Sequence, residues 1–447
     1  MNTLIVPLDG SELAETALPW AALFARSQGL SITLVRVLWV RRYSVDLAQD
    51  VVEEHTSPVW KEAATYLARV KQELEHVQGV EVTTTVREGL TDATILDLAA
   101  KVDASAIVMS THGRGGLIRT VLGSVADDVV RRSSVPVLLV PPGAGDPPEQ
   151  LDAVLVPLDG SALAESALPI ATKVAAAKGK VVLVRVVAPV VSLVGLGSMT
   201  QSMFDEQATL EAEAEAEAYL VDVLEPLEED GIDASHLVLR GVAVDQIQSA
   251  AETTSARLIV MSTRGNSGMR RLRLGSVADE VIRTGKVPVF LITTRMLAAR
   301  AASRHSVQDL MRTDFAILSP DETLSNAGQR MLAHRSPVAP IVDLDGSLIG
   351  ALSVRDLLHW YSGLRPGEQS VDGGLSTRAS AKTVAEILPE ESITIDVTGD
   401  LADAAAMLLQ YRLDGLTVVR DRRPVGILTV RDIVEAASET ETVGPAS

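Results

Sequence analysis

The chain repeats itself, and this internal repeat constrains its fold more than any other feature of the sequence. Residues 4–18 read LIVPLDGSELAETAL, and residues 155–168 read LVPLDGSALAESAL. Further along each copy, GSVADDVVR at residues 123–131 returns as GSVADEVIR at residues 275–283. The two segments come in the same order in both copies. The chain therefore begins with two related units in tandem.

A shorter repeat follows the two large units. Residues 350–357 read GALSVRDL, and residues 426–433 read GILTVRDI. Residues 141–150 are rich in proline and glycine, which is typical of a linker between folded units. The predicted domains are two large units and then two short motifs, which span residues 1–141, 152–294, 306–362 and 381–438.

Composition limits the partners that the chain can have. A chain of 447 residues is too long for one ordinary hydrophobic core, which agrees with several domains. The formal net charge is −19, and such an acidic surface repels the phosphate backbone, so we expect no nucleic-acid partner. The chain has no cysteine, which excludes disulfides and thiolate metal sites, and we predict no metal site in the protein itself.

The sequence indicates neither secretion nor membrane insertion. Its first residues enter a strand-like run without the basic and apolar regions of a secretory signal. The most apolar stretch, residues 181–197, contains Arg185 and Pro189 and is shorter than the ~20 apolar residues that a membrane span needs. We therefore expect a cytoplasmic chain with no membrane partner.

Apolar runs in the first large unit alternate between the patterns of strands and of helices. Strands that alternate with helices form parallel sheets with right-handed crossovers, and near-continuous valine, isoleucine and leucine runs suit strands covered on both faces. We therefore predict an α/β fold, a doubly wound parallel sheet of about five strands in each large unit. The predicted strands cover residues 3–8, 31–38, 80–86, 104–109 and 135–140, and the predicted helices cover residues 12–25, 55–76, 93–102 and 125–132.

Two loops in each large unit are candidates for ligand binding, because such folds bind ligands at the carboxyl ends of their strands. After the first strand, Asp9 is predicted to accept hydrogen bonds from ribose hydroxyls. After the fourth strand, a glycine-rich loop leads to Gly123 and Ser124, where free N–H groups at a helix start can hold a phosphate. We expect Ser124 to cap that helix and to donate its hydroxyl to the phosphate. Glycines that merely make tight turns are the structural alternative.

The spacing in this second loop resembles the ATP motif of universal stress proteins, in which Gly, two residues, Gly and nine residues precede Gly-Ser or Gly-Thr. The VPLDGS segment near the start of each unit also resembles that family. Serine replaces the first glycine of the motif in both units. The motif positions are Ser110, Gly113, Gly123 and Ser124 in the first unit, and Ser262, Gly265, Gly275 and Ser276 in the second. The resemblance implies two adenine nucleotide alpha hydrolase-like domains that bind ATP.

The same resemblance implies roles for further residues. It implies that main chain near Val37 and Val186 meets the adenine. Asp159 is the counterpart of Asp9, so we predict the same ribose contact for it in the second large unit. Arg114 and other arginines of the glycine loops are candidates for phosphate contacts, although solvated arginines at a helix end are the alternative. Mg²⁺ is expected to accompany ATP through its phosphates.

The two short motifs resemble CBS motifs, which pair into one compact α+β module. Each motif ends in Gly-x-x-Ser/Thr-x-x-Asp after a predicted hairpin of strands. The resemblance implies that Ser353 and Thr429 contact a phosphate or ribose, and that Asp356 and Asp432 hold the ribose hydroxyls of AMP, ADP, ATP or a related adenosyl ligand. Alternatively, the serine and the threonine only cap the helices that follow them.

The resemblance also carries an expectation for assembly. Universal stress proteins of this kind dimerise through their final strand, which corresponds here to residues 135–140 and 287–292. Two units on one chain are expected to pair internally, which leaves the CBS pair to associate with that of a second chain. We therefore predict a symmetric homodimer.

No combination of residues in the sequence indicates catalysis. There is no P-loop and no nucleophile with an adjacent base. His112 is placed like a general base, but the second unit has Arg264 in its place. We therefore predict a binding protein that senses energy state or stress, and not an enzyme. Two alternatives stay open: slow ATP hydrolysis or autophosphorylation at Ser124 or Ser276, and a scaffold with degenerate sites. The sequence names no protein partner.

Overall fold

The chain folds into two compact units, of which one ends at Met296 and the other begins at Leu297. Among the residues described, no helix is both long and apolar enough to cross a membrane. The computed structural model describes residues 3–38, 57–112, 122–175, 179–189, 199–263, 276–361, 383–388, 392–411 and 413–438.

The first repeat alternates strands and helices as the sequence predicts. Its elements are β1 (Thr3–Pro7), α1 (Glu12–Glu15), α2 (Leu18–Gln28), β2 (Ser31–Leu38), α3 (Pro58–Gln78), β3 (Val82–Glu88), α4 (Thr91–Lys101), β4 (Ala106–Ser110), α5 (Ser124–Arg132) and β5 (Val137–Val140). The single helix predicted over residues 12–25 is wrong, because α1 and α2 are separate. Pro19 lies in the first turn of α2, where its missing N–H is tolerated but cannot continue a helix from α1.

The second repeat has the same order of elements. They are β6 (Ala153–Pro157), α6 (Ala162–Glu165), α7 (Leu168–Ala175), β7 (Lys180–Val187), α8 (Met199–Glu229), β8 (Ala234–Arg240), α9 (Ala243–Thr253), β9 (Leu258–Thr263), α10 (Ser276–Thr284) and β10 (Val289–Thr293), followed by α11 (Thr294–Ala302). The helix α8 is longer than its counterpart α3 and lies on β7 and β8.

The strands of both repeats form one sheet in the order β3-β2-β1-β4-β5-β10-β9-β6-β7-β8. Neighbouring strands are parallel within each repeat, whereas β5 and β10 pair antiparallel, with Leu138 opposite Phe290. Two further contacts cross this junction: the rings of Phe24 and Phe290 stack at 5.5 Å, and the buried Thr293 hydroxyl donates to the Ser133 carbonyl at 3.1 Å. The prediction that the repeats pair internally through their final strands is confirmed.

The linker between the repeats is bound by both of them. Trp20 is completely buried, and its indole N–H donates to the carbonyl of Gly145 at 3.1 Å. From the second repeat, Arg257 donates to the carbonyls of Ala144 and Asp146 at 3.4 and 3.2 Å. Because one side chain from each repeat holds the linker, it adds to the contact between them.

The second compact unit, which begins at Leu297, contains both short motifs. Their elements are α12 (Val307–Leu310), α13 (Leu324–Ala333), β11 (Val338–Val342), β12 (Leu348–Ser353) and α14 (Val354–Tyr361), then a 3-10 helix (Val384–Ile387), β13 (Thr394–Asp396), α15 (Leu401–Gln410), β14 (Leu416–Arg420), β15 (Arg423–Leu428) and α16 (Val430–Ser438). The predicted hairpins are confirmed as the antiparallel pairs β11–β12 and β14–β15. The two motifs pack against each other where Gly415 faces Val338, since a Cβ atom on that glycine would lie 2.7 Å from the valine Cγ1.

Candidate nucleotide-binding sites

The Asp-Gly-Ser loop after β1 holds its aspartate in a fixed position. Oδ1 of Asp9 accepts hydrogen bonds from the Ser11 N–H at 2.9 Å and from its hydroxyl at 2.6 Å. The Ser11 hydroxyl in turn accepts from the N–H of Ala14 and caps α1. Gly10 has a φ of +83°, which favours glycine. The loop therefore presents a carboxylate at the carboxyl end of β1.

The second repeat reproduces this loop after β6. Oδ1 of Asp159 accepts from the Ser161 N–H at 3.0 Å and from its hydroxyl at 2.5 Å. Ser161 caps α6 by accepting from the N–H of Ala164, and Gly160 has a φ of +84°. The same local geometry thus forms twice, at the predicted positions.

Val37 and Val186 lie at the same edge of the sheet as these loops. Each is near the end of its strand, beside β1 or β6, and its half-buried side chain packs against the core. In the first repeat the loop begins with a hydrogen bond from the N–H of Leu8 to the carbonyl of Val35 at 2.8 Å. The main chain predicted to meet adenine therefore lies beside the aspartate predicted to meet ribose.

The end of β4 meets the start of α5 in the first repeat. The N–H of Gly123 donates to the carbonyl of Thr111 at 2.9 Å, and a Cβ atom on Gly123 would lie 3.1 Å from that oxygen. Glycine therefore allows the helix start to approach the strand end closely. Ser110 is buried, and its hydroxyl accepts weakly from the N–H of His112 at 3.4 Å. The structure brings Ser110, Gly123 and Ser124 together.

The expectation that Ser124 caps α5 is wrong. Gly123 occupies the cap position in an extended conformation, without a side-chain hydrogen bond, and Ser124 is the first helical residue. A residue already inside the helix cannot turn its hydroxyl back to the first free N–H groups as a capping residue does. These N–H groups therefore have no side-chain cap at the position predicted to hold phosphate.

In the second repeat, Ser262 lies in β9 and Ser276 begins α10, as their counterparts do. Other predicted residues lie outside the described part of the chain: Gly113, Arg114, Gly265 and Gly275. His112 is described, and its Nδ1 lies 2.9 Å from the hydroxyl of Thr111.

The predicted residues of the short motifs form two matching helix caps. Oδ2 of Asp356 accepts from the N–H and the hydroxyl of Ser353, at 2.8 and 2.7 Å. Oδ2 of Asp432 accepts from the same two groups of Thr429, both at 2.7 Å. Each hydroxyl also accepts from the N–H of its aspartate. These side chains therefore cap α14 and α16, the role that the alternative to ligand binding gave to the serine and the threonine.

A second polar cluster lies beside each Asp-Gly-Ser loop, and no motif in the sequence pointed to it. We call it the Arg–Tyr–Glu cluster, and its members are Glu15, Arg36 and Tyr66 in the first repeat and Glu165, Arg185 and Tyr219 in the second. In both repeats the guanidinium lies over the tyrosine ring, at 5.1 Å from the ring centre in the first and 4.9 Å in the second. The cluster could have been found by comparing the two repeats position by position, because the glutamate, the arginine and the tyrosine each recur.

The tyrosines of the cluster carry their protons, and Tyr219 uses its own to donate a hydrogen bond. Burial raises the pKa of Tyr66, and the neighbouring Glu15 carboxylate raises it further. Burial likewise raises the pKa of Tyr219, whose hydroxyl donates to Glu165 at 2.9 Å. Both phenols therefore stay protonated at neutral pH. The arginine above each ring provides positive charge beside the tyrosine.

Comparisons with known proteins agree with this architecture. The model of the universal stress protein family matches residues 1–141 and 151–293, which is more than half of the chain. The chain belongs to the universal stress protein family. The CBS domain model matches residues 307–363 and 384–439. The predicted combination of two universal stress protein domains and a CBS pair is confirmed, and so is the predicted fold class.

Two similar proteins each match one part of this combination. Universal stress protein Rv2005c of Mycobacterium tuberculosis is 29% identical over 300 residues, which cover 64% of this chain and 96% of the relative. CBS domain-containing protein YhcV of Bacillus subtilis is 29% identical over 141 residues, which cover 32% of this chain and 91% of the relative. A solved CBS domain pair, that of protein MJ0100 in complex with 5′-methylthioadenosine and S-adenosyl-L-methionine, has 24% identity and a TM-score of 0.25, and covers 29% of this chain and 94% of that chain. The two domain types support a nucleotide-binding regulatory role in the stress response.

Proposed function

We propose that the two universal stress protein domains bind ATP. One observation carries the proposal: at the same edge of the sheet, a fixed carboxylate at the end of β1 is accompanied by a helix start without a side-chain cap after β4. A carboxylate accepts hydrogen bonds from a ribose diol, and backbone N–H groups at a helix start hold phosphate oxygens. The overall charge of −19 makes such a local device necessary for holding an anion.

The second repeat supports the same proposal. Asp159 has the same hydrogen bonds as Asp9, and Ser276 begins α10 as Ser124 begins α5. Mg²⁺ would enter with ATP, held by the phosphates and not by a protein site of its own.

For the CBS pair we propose an adenosyl ligand such as AMP, ADP or ATP. Asp356 and Asp432 each use Oδ2 for the helix cap, so Oδ1 of each carboxylate is the oxygen that would accept from a ribose hydroxyl. In the first motif Arg355 forms an ion pair with Asp414 at 2.7 Å. In the second, Arg431 lies 3.9 Å from Glu435. An anionic ligand would therefore compete with carboxylates for both arginines.

We propose that ligand binding regulates a partner or the assembly of the protein, without turnover. The Nδ1 of His112 is paired with a neighbouring threonine, and the counterpart residue is Arg264, which supports binding over general-base catalysis. Phosphate release over many turnovers that one point substitution abolishes would contradict this proposal.

We also propose that the protein is a homodimer formed through its CBS pairs. Its support is that β5 and β10 already pair with each other, so this strand edge is occupied within the chain. Light scattering of the full chain with and without AMP tests the proposal, and a monomer at all concentrations would refute it.

The experiment that tests the ligand assignment starts from purified protein. Heat denaturation should release bound adenine nucleotide, which chromatography identifies. ATP added to nucleotide-free protein should then bind with micromolar or better affinity in calorimetry. If neither released nor added adenine nucleotide is detected, the binding proposal is wrong and the scaffold alternative gains support.

A further inference from the structure

In the second repeat, the Arg–Tyr–Glu cluster closes a ring of contacts around the candidate ribose-binding loop. Gly160 faces the guanidinium of Arg185, so closely that a Cβ atom there would collide with it. Arg185 lies over the ring of Tyr219, whose hydroxyl donates to Glu165. Glu165 ends the same short helix that Ser161 of the loop begins. Ser161 therefore joins the loop to the first residue of α6, and Glu165 joins the last residue of α6 to Tyr219.

The first repeat has the same cluster around α1. Arg36 is buried, with 9% of its surface exposed, and it lies over Tyr66. Glu15 ends α1 and lies beside the Tyr66 hydroxyl. Burying a guanidinium is costly unless it is paired, and for Arg36 the described contact that compensates this cost is the one with the Tyr66 ring.

The contacts around the Arg–Tyr–Glu cluster differ between the two repeats, and this difference shows which residues of the cluster are shared. In the first repeat Arg69 also pairs with Glu15, at 3.0 Å, and lies 5.5 Å from the Tyr66 ring centre. The neighbouring contacts of α8 in the second repeat are different: Arg240 pairs with Glu206 and Glu213. The common part is therefore the arginine, the tyrosine and the glutamate.

We propose that Arg36 and Arg185 are positioning residues that hold Asp9 and Asp159 in place for the two hydroxyls of the ribose. This inference rests on the proposed binding of ATP. Each aspartate follows a strand and precedes a glycine at positive φ, and within the loop its Oδ1 is held by the serine two residues on. In the second repeat the planar guanidinium of Arg185 lies between Gly160 of the loop and the Tyr219 ring, which restricts the loop further. Arg36 lies over Tyr66 at the corresponding position of the first repeat. A carboxylate binds a diol well only when its position is fixed to within about half an ångström.

The test is photolabelling of the full-length protein with 2-azido-ATP. Labelled peptides from the universal stress protein domains are quantified separately from those of the CBS pair. ATP and 2′,3′-dideoxy-ATP compete for the label, because they differ only in the hydroxyls that the aspartates are proposed to bind. In the wild type, ATP should compete about tenfold better or more, since hydrogen bonds to a charged group are strong.

In the double variant Arg36→Met and Arg185→Met, the preference for ATP over the dideoxy compound should fall to about twofold or less. The lysine double variant should lose the preference similarly, because it keeps the charge but not the planar fork. Arg240→Met, on the neighbouring strand β8, is the matched control and should keep the wild-type preference. If the methionine variant does not fold, Tyr66→Phe with Tyr219→Phe removes only the hydroxyls, and it should lower the preference by about threefold.

The other outcomes separate three claims: the positioning role of the arginines, the ribose assignment and ATP binding itself. Equal weakening of both nucleotides in the arginine variants, or full rescue by lysine, would overturn the positioning role. An unchanged preference in the folded methionine variant would overturn it as well. If ATP and the dideoxy compound compete equally in the wild type, the ribose assignment is wrong while ATP binding stands. If no peptide of the universal stress protein domains is labelled in the wild type, the proposed function itself fails.

Discussion

Replacing Gly160 by alanine should destabilise the second repeat more than a comparable change elsewhere in it. Gly160 has a φ of +84°, and an added Cβ would collide with the Arg185 guanidinium. Gly231 has a φ of +77°, but a Cβ there meets nothing within 4 Å. Gly231→Ala is therefore a control for the backbone conformation alone.

The expected magnitudes follow from these two geometries. A left-handed backbone costs an alanine about 1–2 kcal/mol, and both variants have this cost. At Gly160 the arginine must also move away from Tyr219, which loses a cation–π contact of about 0.5–2 kcal/mol. We expect Gly160→Ala to reduce the free energy of unfolding by about 1.5–4 kcal/mol in total, when the backbone and contact terms are added.

Urea unfolding of the full chain, followed by circular dichroism, measures the difference between the variants. Hydrogen exchange of peptides from β6 assigns the transition to the sheet. The double variant Gly160→Ala with Arg185→Met completes a cycle: without the guanidinium, the alanine should cost only the backbone term. If the two alanine variants are equally stable, or if Arg185→Met leaves the cost of Gly160→Ala unchanged, the arginine does not brace the loop.

Three further predictions concern the binding sites and the tyrosines. Gly123→Val should weaken ATP labelling of the first repeat by about fivefold to 150-fold, because overpacking of this kind costs about 1–3 kcal/mol. Labelling as in the wild type would refute the close approach. Asp356→Asn with Asp432→Asn should weaken AMP binding in calorimetry without changing the melting temperature, whereas alanine at these positions would also remove the carboxylate that bonds to each capping residue and would lower that temperature. Tyr66 and Tyr219 should ionise at higher pH than the other tyrosines in an absorbance titration. In the unfolded chain these phenols lose their protons near pH 10, before those of the folded protein do. The free energy of unfolding should therefore fall as the pH rises above about 10. If all the tyrosines of the folded protein titrate together, the clusters do not bury these phenols.

The sequence alone determined the architecture of this protein. Internal repetition and alternating strand and helix patterns were enough for the domain order, the strands and the two loops at each sheet edge, because these features depend on neighbouring residues. Asp9 and Gly123 could be placed for the same reason, since a strand end followed by Asp-Gly-Ser or Gly-Ser is a local signal. The division between α1 and α2 was missed, because apolar spacing continues through Pro19.

Only the tertiary structure decided which distant residues act together. Glu15, Arg36 and Tyr66 lie on three elements, and nothing in their spacing relates them until β2 and α3 pack together. The residue that caps α5 was also decided by packing, because the bond from Gly123 to Thr111 fixes where the helix begins. The family resemblance predicted that the final strands form the dimerising edge. The structure shows that β5 pairs with β10 of the same chain. The physical reason is the same in each case: a hydrogen bond or ring contact between remote segments depends on the folded path of the chain, which no local pattern encodes.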